Sequence, residues 1–228
     1  CEAVSAVFRA GITPSALEFI ERDAIDWALK YTDVKLQIDA DVQAHLLVEV
    51  DGDDMDLLYK DCERIFEVME SFECGEILLA DSESQKNNIW KLRREIAESV
   101  KSNSVYKEED TVVPRAELAK LLKGVKAIGK AYGFQSVCYG HAGDGNLHIN
   151  IIKGEMSDVD WNSKLTLGIR EIFELTYSLG GTLSGEHGIG LVQKDYMDIV
   201  FSEKALDLQK GIKNLFDPNG ILNPGKIF

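Results

Sequence analysis

Hydrophobic residues recur along the chain at two spacings, and each spacing predicts a different kind of element. Between Asp54 and Ser71 the residues Leu58, Cys62, Ile65, Phe66 and Met69 fall on one helical stripe. A second stripe, Ile89, Leu92, Ile96, Ala97 and Val100, follows a capping residue at Asp81 or Ser82. Further helices are expected over Glu2 to Ala10, Asp23 to Lys30, Pro114 to Gly133, Ser157 to Leu179 and Ser202 to Phe216, with Gly133 and Gly180-Gly181 as stop signals. Strands are read at Leu17 to Ile20, Ala44 to Val50 and, as a buried strand, Gly75 to Ala80. Lys101 to Val113 is polar and irregular and reads as a loop or edge strand. This order predicts an α+β fold: an antiparallel sheet with helices packed mainly on one face, containing ferredoxin-like split β-α-β elements, plus a C-terminal helical segment.

The segment from Val137 to Ile152, V-C-Y-G-H-A-G-D-G-N-L-H-I-N-I-I, predicts a β-hairpin with Asp144-Gly145 as a two-residue turn. That turn pairs Gly143 with Asn146 and sets His141 opposite His148. Tyr139 and Asn150 then share the histidine face, while Cys138, Ala142, Leu147, Ile149 and Ile151 point to the other. A second stretch, Thr182 to Gly190, surrounds an adjacent Glu186-His187 pair with three glycines, which suggests backbone brought close to a ligand.

Composition narrows the field. The 228 residues include 25 basic and 39 acidic side chains, a net charge of −14, so nucleic acid and anionic membrane are poor partners. No run of 18 apolar residues and no signal peptide occurs, which argues against a membrane span or export. The four cysteines show no C-x-x-C spacing and read as reduced thiols of a cytoplasmic protein. The absence of an initiator Met suggests a chain that starts inside a longer protein, and no linker marks a second autonomous domain.

Two histidines on one sheet face and a glutamate from a tight loop make an N,N,O metal set: His141, His148 and Glu186. Such a set leaves coordination positions open for catalysis. At about 100° per residue, Arg93 falls inside the apolar stripe of its helix. Two readings stay open for it: a stem covering apolar surface with its head in water, or a guanidinium aimed into a cavity to bind a carboxylate.

Three ordered stretches carry a family resemblance: G-H-A-G-D-G-N-L-H-I-N (Gly140 to Asn150), S-G-E-H-G-I-G (Ser184 to Gly190) and D-P-N-G-I-L-N-P-G-K (Asp217 to Lys226). With W-K-L-R (Trp90 to Arg93) and D-T-V-V-P-R (Asp110 to Arg115), they resemble the FAD-linked oxidase C-terminal domain of vanillyl-alcohol-oxidase-type flavoproteins. That family includes glycolate oxidase catalytic subunits, D-lactate dehydrogenases and D-2-hydroxyglutarate dehydrogenase. The resemblance covers the whole chain, 1–228. It implies a substrate or cap part over 14–180, a C-terminal segment over 181–228 that returns to the flavin, and an N-terminal FAD-binding domain absent from this chain.

The resemblance implies His141, His148 and Glu186 as metal ligands, with zinc as the expected divalent cation, and His187 as the base. It further implies Arg93 as the anchor of a substrate carboxylate, Asn223 as a residue approaching the flavin, and Asn150 as support for substrate or metal. The implied reaction is hydride transfer from C2 of a D-2-hydroxy acid to FAD, with the electrons passing to an acceptor protein or quinone. The isolated fragment would be inactive. One departure stands out: where dehydrogenases for dicarboxylates often place a lysine, this chain has Glu108, which makes a dicarboxylic substrate doubtful. A homodimer is compatible with all of this. Two other readings of the residues are a metal-dependent hydrolase, with His187 activating water, and a metal-binding or docking module without catalysis.

Overall fold

Five strands hydrogen-bond into a single sheet in the computed structural model, which describes residues 1–33 and 38–228. They are β1 (Ala16–Glu21), β2 (Ala44–Glu49), β3 (Tyr106–Val112), β4 (Gln135–Gly140) and β5 (Asn146–Ile152), in the order β2-β1-β4-β5-β3. Every ladder is antiparallel. The helices are α1 (Glu2–Arg9), α2 (Arg22–Tyr31), α3 (Met55–Glu70), α4 (Glu83–Asn103), α5 (Leu118–Tyr132), α6 (Asp158–Ser178), α7 (Met197–Val200) and α8 (Glu203–Phe216). The α+β class and the antiparallel sheet are as the patterning predicts.

Alternation along the strands sorts side chains to two faces. One face carries Leu17, Phe19, Cys138, Leu147, Ile149 and Ile151 into the main core, with α5 and α6 supplying Leu121, Val125, Ile169, Ile172 and Phe173. The other carries Ile20, Val137, Tyr139 and Ile152 into a smaller cluster with Ala24, Ile25 and Ala28 of α2 and Leu92, Ile96 and Val100 of α4. The helices thus pack mainly against the first face, and α2 with α4 add a second, thinner layer on the other.

The split β-α-β unit exists, but later in the chain than the opening elements suggest. β1 and β2 are immediate neighbours, with nothing inserted between them. Instead β3, α5 and β4 form the unit: β5 pairs with both strands and so lies between them. Lys101 to Val113 resolves into the end of α4 and the edge strand β3. Gly75 to Ala80, expected as a buried strand, pairs with nothing among the described residues. Its Leu78 and Leu79 are exposed. An unbroken apolar run lacks the alternation that would distinguish a strand from an extended connection.

The hairpin also departs from its expected register. Tyr139, not His141, lies opposite His148, and the loop holds five residues, His141 to Gly145. A two-residue type I′ turn needs positive φ at both central positions. Only Gly145 has it, at 79°. The chain instead closes a turn on the His141 carbonyl, which accepts from Asp144 N at 2.9 Å and Asn146 N at 3.2 Å. The shift is two residues, and an even shift keeps every side chain on its face. His148, Asn150 and Tyr139 therefore share a face as expected.

Candidate active site

One face of the sheet gathers the polar residues that an apolar core would reject. β5 contributes His148 and Asn150, and β4 contributes Tyr139. The edge strand β3 sets Asp110 opposite His148 and Glu108 opposite Asn150. β1 contributes Glu18, and the hairpin loop brings in His141 just past the end of β4. α4 lies over this face and lowers Arg93 onto it. The helix is held by a capping box at Ser82 and by a 2.6 Å hydrogen bond from Trp90 Nε1 to Glu49 of β2.

The fourth wall is the loop after α6, which joins the sheet at a bridge between Thr182 and Val112 and is held further along by one carboxylate. Asp110 Oδ2 accepts from Glu186 N and His187 N, both at 2.8 Å, and from Ser184 Oγ at 2.9 Å. Its Oδ1 accepts from Asn146 Nδ2 at 2.6 Å. Gly185 is required by this approach, because a methyl group there would overlap Asn146 Nδ2 and crowd Asp110. The glycine that suggested contact with a ligand thus serves the packing of loop on strand.

These contacts bring three nitrogen and oxygen donors to one point. Glu186 Oε1 lies 3.3 Å from His148 Nε2 and 3.7 Å from His141 Nε2. Tetrahedral binding at about 2.1 Å per ligand separates donor atoms by about 3.4 Å, so the three fit a divalent cation such as zinc. His187 stacks on His148 with ring centroids 5.3 Å apart, and its Nε2 is 3.8 Å from the same glutamate oxygen. A second trio, Glu108, His148 and His187, is equally close but shares His148, so the two cannot both hold an ion through that residue.

Electrostatics match the geometry. Burial above all, with the nearby charges of Arg93, His141 and His187, pushes the His148 imidazolium down to about 4 against the pull of Asp110, so the ring is a neutral donor at neutral pH. His141 is raised, first by its hydrogen bond to Glu18. Burial would raise Glu18, but His141 and Arg93 outweigh it and hold the carboxyl below its ordinary value. At Asp110 the same contest is won by the backbone N–H groups of His187 and Glu186.

Arg93 is nearly buried, its Nε donating to Glu18 Oε2 at 2.7 Å and its guanidinium standing 4.8 Å over the Tyr139 ring. Asn150 is fully enclosed, yet neither atom of its carboxamide makes a hydrogen bond of normal geometry among the described residues. Burial pushes the neighbouring Tyr139 phenol up to about 12. Asn223 is set apart in the C-terminal tail, in a left-handed conformation with φ 47°, and its side-chain oxygen accepts from Lys226.

Two residues of the site escape sequence reasoning. Glu18 sits in the apolar strand A-L-E-F-I-E, and a glutamate at a buried strand position was the available signal. Asp110 belongs to a recognised stretch, but its place opposite His148 depends on β3 being paired.

The comparisons with known proteins agree with this architecture. The family model described as FAD linked oxidases, C-terminal domain, matches residues 1–227. A D-lactate dehydrogenase of Anaerostipes hadrus is 31% identical over 96% of the chain and 47% of its own length. Glycolate oxidase subunit GlcD of Bacillus subtilis is 31% identical over 100% of the chain and 48% of its own length. D-2-hydroxyglutarate dehydrogenase of Stutzerimonas stutzeri is 34% identical over 97% of the chain and 48% of its own length. The chain thus spans about half the length of the curated relatives it matches. Among solved structures, p-cresol methylhydroxylase with substrate bound superposes with a TM-score of 0.66 at 14% identity, over 99% of this chain and 49% of that one, a likeness of fold.

Proposed function

The chain belongs to the family of FAD linked oxidase C-terminal domains, and from that premise we propose that it forms the substrate side of a flavin-dependent D-2-hydroxy acid dehydrogenase. Its own N-terminal domain would hold the FAD, and Asn223 would approach the flavin. The observation that carries this reading is the convergence of His141 Nε2, His148 Nε2 and Glu186 Oε1 beside an arginine whose terminal nitrogens make no hydrogen bond to the described residues.

In this reading His141, His148 and Glu186 would hold a divalent cation supplying Lewis acidity toward the hydroxyl and carboxylate oxygens, and a flavin bound by the N-terminal domain would supply a hydride acceptor. His187 takes the hydroxyl proton at Nε2, the nitrogen that faces Glu186. With FAD bound by the N-terminal domain, the C2 hydrogen would leave as hydride, turning hydroxy acid into keto acid, and an acceptor protein or quinone would then take the two electrons. Arg93 fixes the substrate carboxylate and with it the face of C2 that is presented. Asn150, beside the Tyr139 hydroxyl, offers its carboxamide to the bound acid.

Glu108 narrows the substrate. It lies within ligand-atom reach of His148 and His187, and among the described residues no cation pairs with it. A second substrate carboxylate would meet a like charge there, which favours monocarboxylic acids such as glycolate or D-lactate over dicarboxylic ones. The test is anaerobic mixing of the full-length, flavin-loaded protein with each acid. D-lactate or glycolate should bleach the flavin faster than a dicarboxylic 2-hydroxy acid, and removing the metal with a chelator should suppress it. The reading fails if no 2-hydroxy acid bleaches the flavin.

A further inference from the structure

Glu18 does more than satisfy its neighbours. It is buried at 3% exposure in a strand whose flanking residues Leu17, Phe19 and Ile20 are core. A carboxylate buried in such surroundings is costly unless both oxygens find strong partners. Each oxygen has one, and the two partners belong to different halves of the site. Oε1 meets His141 Nδ1 at 2.6 Å, and Oε2 meets Arg93 Nε at 2.7 Å.

We propose that Glu18 is the positioning residue that couples the metal-binding and carboxylate-binding halves of this site. The inference rests on the function proposed above. At His141, the contact places the ring proton on Nδ1 and leaves the Nε2 lone pair directed at Glu186 and His148. At Arg93, occupation of Nε by Glu18 fixes the guanidinium plane over Tyr139 and leaves the Nη1 and Nη2 edge for a planar, two-toothed contact with a substrate carboxylate. Because one rigid strand residue sets both orientations, the spacing between cation and anion anchor is fixed by the sheet and not by two independently mobile side chains. A carboxylate present only for stability would have no reason to reach a half-exposed imidazole whose other nitrogen faces the donor cluster.

The experiment uses Glu18→Gln and Glu18→Asp in the full-length, flavin-loaded protein. Glutamine keeps the shape and loses the charge, and aspartate keeps the charge but is one methylene too short to serve both partners. Three quantities are measured: zinc affinity by chelator competition, the His141 tautomer by nitrogen-15 resonances of labelled histidine, and the division of any rate loss between KM and kcat. Glu18→Gln should weaken zinc binding by about 10- to 100-fold, shift the His141 tautomer, and raise KM for the hydroxy acid more than it lowers kcat. Glu18→Asp should keep one property and lose the other. Zinc affinity within about twofold of the parent in Glu18→Gln would overturn the proposal. So would a Glu18→Asp protein that keeps both properties. If no hydroxy acid reduces the flavin, the proposed reaction fails, while zinc affinity and tautomer still decide the role of Glu18.

Discussion

Glu109 and Asp110 are adjacent acids on one strand, both inaccessible to solvent, and the sheet sends them to opposite faces. Asp110, on the site face, accepts four hydrogen bonds, two of them from backbone N–H groups, and its carboxyl stays below its usual range. Glu109, on the core face, has Gln193 beside it but accepts no hydrogen bond of normal geometry among the described residues. Burial pushes it up to about 7, with Lys107 Nζ 3.7 Å away as a distant counter-charge. The difference lies in the donors, not in depth. An acid can be buried as a charge where unsatisfied N–H groups need an acceptor, and it takes up a proton where they do not.

The contrast can be broken from either side. Asp110→Ala should have the largest effect, because it orphans the N–H groups of Glu186 and His187 together with Asn146 and Ser184. A loss of about 3–5 kcal/mol by urea denaturation is expected, with zinc affinity falling at least about tenfold. A loss below about 1 kcal/mol would mean that water replaces the carboxylate and the loop is not held by it.

Glu109→Gln should act in the opposite direction. The folded chain keeps a proton on Glu109 between about pH 4.5 and 7 that the unfolded chain releases. The glutamate therefore contributes fully below about pH 4.5, and its contribution is lost as the pH rises through 7. Glutamine never ionises, so the variant should match the parent near pH 4 and exceed it by about 3 kcal/mol at pH 8. Equal urea midpoints at both pH values would show that Glu109 is charged in the fold.

Gly185→Ala tests the closeness of loop and strand. Overlap with Asn146 should cost about 2 kcal/mol, with zinc affinity declining alongside, and an unchanged melting curve would place the loop farther from β3. Smallest of all, Lys107→Met should cost under about 1 kcal/mol and move the Glu109 transition to higher pH, since the attractive charge 3.7 Å from it is removed. A transition left in place would make Lys107 a bystander.

How much of this was legible in the sequence depends on whether a residue's role is local. The helices announced themselves by stripe and cap, and the face shared by Tyr139, His148 and Asn150 survived a wrong turn type because the register error was even. Arg93 could be placed on the buried side of its helix by counting. Glu18 could not be connected to His141 or Arg93, because their meeting depends on β1 lying beside β4, a pairing no local pattern encodes. The same holds for Asp110, whose role requires an edge strand that its polar composition disguised. Gly75 to Ala80 misled for the converse reason: an apolar run is visible locally, while the lack of a partner strand is not.

The insertion of β5 between β3 and β4 bears on the order of assembly. β4 and β5 are joined by a short loop and can pair early, whereas β3 must return across α5 to reach the far edge of β5. Asp110 travels with β3, so the stretch bearing Glu186 and His187 lacks its carboxylate anchor until that strand docks. The Glu186-His187 part of the site should therefore form together with the β3–β5 ladder, and a cation bound by the completed site should slow unfolding, which unfolding rates with and without zinc would measure. The chemistry of this domain is thus available only once the edge strand has closed the sheet.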